Sequence, residues 1–246
     1  MKNVSNFDQT YLDWMQREAD DGTPLIAAAT VVLLRDAPND GGLEVLMLRR
    51  NSAVEFAGGM WVFPGGRIDP EDHHDTADLL AAARNASVRE ANEEAGQSVD
   101  VESLVWFAHW CPPPSAPKRF ATFFFACRAL DDEVTIDGSE IHDHEWMTPV
   151  AALQRQREHD VQLAPPTWIT LHYLTRSATV SEALDAFARR EPRFYETRMA
   201  KDDEHLHFVW SGDAAYPDLP PATPGPRHRI TVRADGWMLD DSARPF

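Results

Sequence analysis

"FPGGRIDPEDHHDTADLLAAARNASVREANEEAGQ", residues 63–97, is the stretch around which the rest of the chain can be organised. From Thr76 to Ala95 it is rich in Ala, Leu, Glu and Arg and contains neither Gly nor Pro, which predicts a helix. Gly96 follows at the position where a left-handed residue ends a helix. With 3.6 residues per turn, Glu90, Glu93 and Glu94 stand at i, i+3 and i+4 on one face. Val88, Ala91 and Ala95 fall on the opposite side and are suited to packing on a sheet. Arg89 reaches Glu93 at i, i+4, which answers one of three charges.

Acidic side chains favour the N-terminal end of a helix, yet these occupy its last turns, where the macrodipole opposes them. The bland reading of such a run is a solvated acidic face. A divalent cation is the reading that offsets the cost, because Mg2+ takes carboxylate oxygens and keeps further positions for water and phosphate. The Pro64-Gly65-Gly66 loop adds a place where the lack of side chains lets a ligand or metal approach the backbone.

Outward from this segment, LIAAATVVLL (25–34) and LEVLMLRR (43–50) read as two strands separated by a turn-rich APNDGG, and MWVF (60–63) as a short third. LVWFAHW (104–110), RFATFFFACRAL (119–130) and HEWM (144–147) are further strands, the last followed by a short helix after Pro149. Strands on both sides of one helix predict an α+β domain over residues 25–150. Residues 1–24 form an N-terminal segment, and 151–246 an extension expected to pack on the core. In that extension PPTWITLHYLTR and SEALDAFARR read as helices, the second with Ser181 at its N-cap, and HLHFVW and HRITVR as strands.

The balance of 23 basic against 40 acidic residues, a formal charge of −17, repels polyanions and acidic membranes, so nucleic acid and membrane partners are excluded. Two cysteines make no disulfide framework. The acidic opening residues lack the pattern of a signal peptide, and the longest apolar run, Leu25–Leu34, is too short for a bilayer. The final Ala-Arg-Pro-Phe is not a Ser-Lys-Leu address. A cytoplasmic protein is the expectation.

Gly66, five residues, Asp72, a spacer, then Arg89-Glu90-Ala91-Asn92-Glu93-Glu94-Ala95-Gly96 resembles the signature of the Nudix hydrolases, which cleave nucleoside diphosphates linked to another moiety. Asp72 stands where the family has glutamate, 16 residues separate it from Arg89 where seven are common, and Gln97 replaces an aliphatic residue. The resemblance implies an α/β/α sandwich with a mixed sheet. It also implies that Glu90, Glu93 and Glu94 bind Mg2+ or Mn2+ with a backbone carbonyl of the Gly65-Gly66 loop, that of Gly66. One of the glutamates, Glu90 or Glu93, takes the proton of the attacking water, and Arg89 orients the acidic face. Glu140 or Glu145 is the candidate for a remote carboxylate completing the metal site, Glu140 being preferred.

LRRNSAVEFAGGMWVFPGG is similar to the coenzyme A diphosphatase branch, with Arg49 or Arg50 and Phe56 ahead of the glycine loop; Arg50 and Phe56 are taken as substrate contacts. AHWCPPPSAPKRFATFFFACRA and VWSGDAAYPDLP resemble the motif-19 members of that branch, although Ala121 replaces a frequent Asp. Lys118 and Arg119, a basic pair in an acidic chain, are suited to a phosphate or to closing a turn. Phe123, Phe124 and Phe125 read as core. His73-His74-Asp75 and His142-Asp143-His144-Glu145 lack diagnostic metal spacing and read as polar loop residues. The expected substrate is coenzyme A or acyl-coenzyme A, with ADP-ribose or NADH as alternatives and a non-catalytic nucleotide sensor as the alternative of another class. A homodimer is compatible with the resemblance.

Overall fold

The structure is a computed structural model, and it describes residues 11, 13–15, 23–38, 41–52, 57–74 and 76–243. Twelve strands are described: β1 Leu25–Asp36, β2 Leu43–Arg50, β3 Trp61–Val62, β4 Gly65–Arg67, β5 Val105–Cys111, β6 Arg119–Arg128, β7 Ile141–Met147, β8 Arg193–Glu196, β9 Arg198–Lys201, β10 Leu206–Val209, β11 Arg229–Arg233 and β12 Gly236–Asp240. Among the described residues four α-helices are bounded at both ends: α1 Leu79–Ala95, α2 Pro149–Arg157, α3 Pro165–Leu174 and α4 Val180–Ala188. Two compact units result, one from residues 27–109 and 122–194, the other from the described parts of 1–26, 110–121 and 195–246.

In the larger unit the strands line up in the order β3-β2-β1-β6-β5-β8, with β4 on β1 and β7 on β2. Strands β1 and β2 are apolar without alternation because both of their faces are covered. Ala29, Val31, Leu33, Leu46 and Leu48 join Phe123 and Phe125 in a core with Ala83, Ala86, Ala91 and Ala95 of α1. The alanines let the helix lie close on the sheet, as expected of Ala91 and Ala95, and Val88 packs at the margin of that cluster. On the other face Phe107 meets Phe124 edge-on and stacks on Phe187 of α4 at 4.1 Å. The outcome is the expected α+β fold with helices on both faces, and all three phenylalanines 123–125 are buried.

Helix α1 starts three residues later than the sequence suggests, because Asp78 accepts from the Leu80 N–H and acts as its N-cap. Gly96 ends it with φ of 65°, and its N–H donates to Asn92 O while that of Gln97 donates to Ala91 O. Likewise α4 is capped by Thr179, whose side chain accepts from Glu182 N–H, and Ser181 lies inside the helix. Glu182 in turn accepts from Ala178 N–H at 2.8 Å, a reciprocal pairing that outcompetes a later start.

The smaller unit contains the four-stranded antiparallel sheet β12-β11-β10-β9. The HLHFVW and HRITVR stretches supply β10 and β11, paired with Phe208 opposite Ile230. Trp110 and Tyr195 stack 3.7 Å apart, and Trp210 meets both edge-on. Asp213 is fully buried and accepts from Ala215 N–H, His228 N–H and the Arg229 guanidinium. Burial alone would raise its pKa, but these donors hold it below the usual carboxylate range. Its ionised form therefore contributes stability above the ordinary Asp range that is lost as acid protonates it. Asp213→Ala leaves the buried Arg229 uncompensated and is expected to cost about 3–5 kcal/mol in denaturant unfolding at neutral pH, a difference that shrinks below about pH 4.

Candidate active site

The acidic face of α1 lies against the glycine loop because β4 is pinned to β1. Thr30 pairs with Gly65 and Ala29 with Gly66, and Val31 N–H donates to Pro64 O. The Gly65 N–H then donates to Glu94 Oε2 at 2.9 Å. Gly66 faces Glu90 so closely that a Cβ there would come within 2.6 Å of the Glu90 carboxyl carbon. Glycine is needed at this point for space.

Arg89 is shared more widely than the i, i+4 pattern indicates. Its Nη1 donates to Glu93 Oε2 at 3.0 Å as expected, and also to Glu90 Oε1 at 2.8 Å. Its Nε and Nη2 grip both oxygens of Asp72 at 3.1 and 3.0 Å, and Nη2 also donates to Arg67 O. Asp72 is itself buried, accepts from Asp69 N–H, and through its backbone oxygen accepts from Asn85 Nδ2. The short turn Pro70–His73 thus lies along α1, and residues 79–88 of the 16-residue spacer belong to that helix. A bidentate carboxylate is what this position contributes, and aspartate provides it. The hydrogen bonds that Arg89 donates to Asp72 outweigh burial and hold its guanidinium firmly charged.

A second arginine serves the remaining carboxylates. Arg50, the half-buried last residue of β2, donates from Nη2 to Glu140 Oε2 at 2.9 Å, and its Nη1 lies 3.8 Å from Glu94 Oε1. Its neighbour Arg49 is exposed. Glu140 sits in a loop tied down by Asp137, which accepts from the Glu140 and Ile141 N–H groups, while the Glu140 carbonyl accepts from Asn51 N–H. Glu145 pairs instead with Arg155 at 2.7 Å.

Glu90, Glu93, Glu94, Glu140, Arg89, Arg50 and the Gly65-Gly66 loop are therefore brought together within the larger unit. Lys118 and Arg119 belong to the smaller one, where Arg119 Nη1 donates to Thr23 O at 3.4 Å. Phe56 and Asp75 lie outside the described residues. His142, Asp143 and His144 lie on β7, where His144 pairs opposite Leu48. Sequence reasoning left the role of Asp72 open and missed Asp69 and the Arg67 carbonyl, which no spacing rule marks.

Burial pushes Glu94 up from 4.5 to about 8; Glu90 and Glu140 add to this, while the Gly65 N–H and Arg50 oppose it. Glu90 is raised chiefly by burial too, with Arg89 opposing and Glu93 and Asp69 adding. Among the described residues no three His, Cys, Asp or Glu side chains already stand as a chelating group. The donor chemistry nevertheless fits a hard divalent ion: buried Glu94 and half-buried Glu90 repel one another, which a cation would relieve, and the lack of a side chain at Gly66 lets the loop backbone lie directly against the Glu90 carboxylate.

A NUDIX domain family model matches residues 24–169. The acyl-coenzyme A diphosphatase NUDT19 of Xenopus laevis is 26% identical over 132 residues, covering 50% of this chain and 35% of that protein. Its counterpart of the same name from Gallus gallus is 23% identical over 242 residues, covering 88% of this chain and 63% of that protein. The chain thus spans between about a third and just under two-thirds of the length of these curated relatives. Among solved structures, a NUDIX hydrolase from Alicyclobacillus acidocaldarius superposes with a TM-score of 0.62 at 23% identity, covering 69% of this chain and 99% of that one, a likeness of fold.

The raised Glu94 carboxyl gives a test without metal or substrate. Folding favours its neutral form, so between its ordinary 4.5 and about 8 the folded state holds a proton the unfolded state has lost. Stability of the metal-free protein should fall as pH rises through that window. Glu94→Gln, which keeps an acceptor for Gly65 N–H, is expected to flatten the fall when melting temperature is measured from pH 5 to pH 8.5.

Proposed function

The chain belongs to the NUDIX family, and from that premise we propose that it hydrolyses the diphosphate bond of coenzyme A or an acyl-coenzyme A. The products are 3′,5′-ADP and the corresponding phosphopantetheine. The observation that carries the reaction class is the crowding of Glu90, Glu93 and Glu94 at the end of α1 over a glycine loop. The names of the two curated relatives support the substrate class, as do the sequence features around Arg50.

Mg2+ or Mn2+ would be held by Glu90 and Glu94 with the Gly65-Gly66 loop, Glu140 assisting, and when bound it supplies charge neutralisation at the diphosphate. Glu94 is buried and Glu90 half-buried, both more enclosed than Glu93 and suited to ligation. Glu93 has a side chain 58% exposed, with one oxygen held by Arg89, and so offers its other oxygen to water. Glu93 is therefore the general base, and Arg89, locked by Asp72, keeps it at a fixed rotamer. Arg50 provides a guanidinium for the substrate's phosphate oxygens, for which its fork geometry is suited.

Purified protein with Mg2+ is expected to convert coenzyme A or acetyl-coenzyme A to 3′,5′-ADP by mass analysis, faster than ADP-ribose or NADH. Cleavage of ADP-ribose or NADH alone would refute the coenzyme A assignment and leave the reaction class standing. Binding of nucleotides without any turnover would point to the sensor. A Glu93→Gln, Glu94→Gln double variant is expected to lose about 100-fold or more in kcat.

A further inference from the structure

Five carboxylates converge on this site, and two guanidiniums divide them. Arg89 takes Asp72, Glu90 and Glu93. Arg50 takes Glu140 and faces Glu94. The two arginines are held very differently. Arg89 has both oxygens of a buried aspartate and a backbone carbonyl, so it cannot leave without exposing Asp72 as an unpaired buried charge. Arg50 has one short bond to a glutamate whose side chain is 60% exposed and a looser approach to Glu94. Its Nε is buried and has no hydrogen-bond partner among the described residues. A buried donor left unsatisfied is unfavourable, so this position does not optimise Arg50 as a structural fixture.

We infer that Arg50 is an exchangeable counter-ion: it stands in for the divalent cation at Glu94 and Glu140, is displaced when the cation arrives, and is thereby released to the substrate's anionic oxygens. This rests on the metal-dependent reading above and adds a competition to it. The physical reason is that a cation bound at Glu94 repels a guanidinium 3.8 Å from the same carboxylate. The displaced arginine then needs an anion, and a diphosphate offers one that also satisfies Nε. Metal and substrate would consequently bind with positive coupling, each taking a partner the other has freed.

The test measures Mn2+ uptake by the full chain without nucleotide, using electron paramagnetic resonance of free Mn2+, for the native protein, Arg50→Gln and Arg50→Lys. Removing the competing charge is expected to tighten Mn2+ binding about tenfold in Arg50→Gln, with Arg50→Lys close to native. The same Arg50→Gln protein should show a raised KM for coenzyme A with a smaller change in kcat. Equal or weaker Mn2+ binding by Arg50→Gln, with the native protein binding normally, would overturn the inference while leaving the metal reading intact. Absence of Mn2+ uptake by all three proteins would overturn both. A measurement on the native protein covers the case of a misfolded variant: the Arg50 Nε–H nitrogen-15 resonance should shift and exchange faster with water on adding Mg2+. An unchanged resonance at saturating Mg2+ would also reject the exchange.

Discussion

Repulsion among carboxylates at the C-terminal end of α1 is the constraint around which this molecule is built. The last turns of that helix carry Glu90, Glu93 and Glu94 with no basic residue in the final turn, so the helix dipole does not relieve them, and local pairing by Arg89 reaches Glu90 and Glu93 only. The rest of the relief depends on residues outside the helix. Arg89 is locked by Asp72 on a neighbouring turn, and Arg50 arrives from the end of β2.

The sheet exists, in functional terms, to hold those partners in place. Strands β1 and β2 are buried on both faces, which fixes the level at which Arg50 emerges and the register by which β4 presents Gly65 and Gly66. The small residues of α1 complete the arrangement. Ala83, Ala86, Ala91 and Ala95 allow a close approach to the sheet, and Gly66 then allows Glu90 to sit against the loop. A larger residue at any of these points would move the acidic face away from its counter-charges. Packing of apolar atoms and placement of charge are here one problem.

Departures from the family pattern are accommodated by local chemistry. Asp72 is shorter than the usual glutamate, yet the turn Pro70–His73 brings it alongside α1, where it grips Arg89 with both oxygens. Gln97, in place of an aliphatic residue, is fully buried and donates to Glu133 O at 2.6 Å, so a polar side chain there ties the helix end to the following loop.

The helix, the side of it that is acidic, the side that packs, and its stop at Gly96 could all be read from the order of residues, because each follows from a spacing of three or four positions or from a glycine's conformational freedom. So could β1, β2, β5 and β6, whose apolar runs are uninterrupted, whereas β4, β8, β9 and β12 carry no such run and are set by their pairing partners. Local signals mark those features, and local signals survive in a sequence. The start of α1 at Asp78 and the cap of α4 at Thr179 were misplaced by a few residues, since several polar residues compete for a cap and only neighbouring backbone geometry selects one. The division of five carboxylates between two arginines was beyond reach. Arg50 meets Glu94 and Glu140 across 44 and 90 positions of chain, and no periodicity connects residues that far apart. That choice belongs to the packing of strand, loop and helix, which alone determines which charges share a low-dielectric space and which one is left free to exchange.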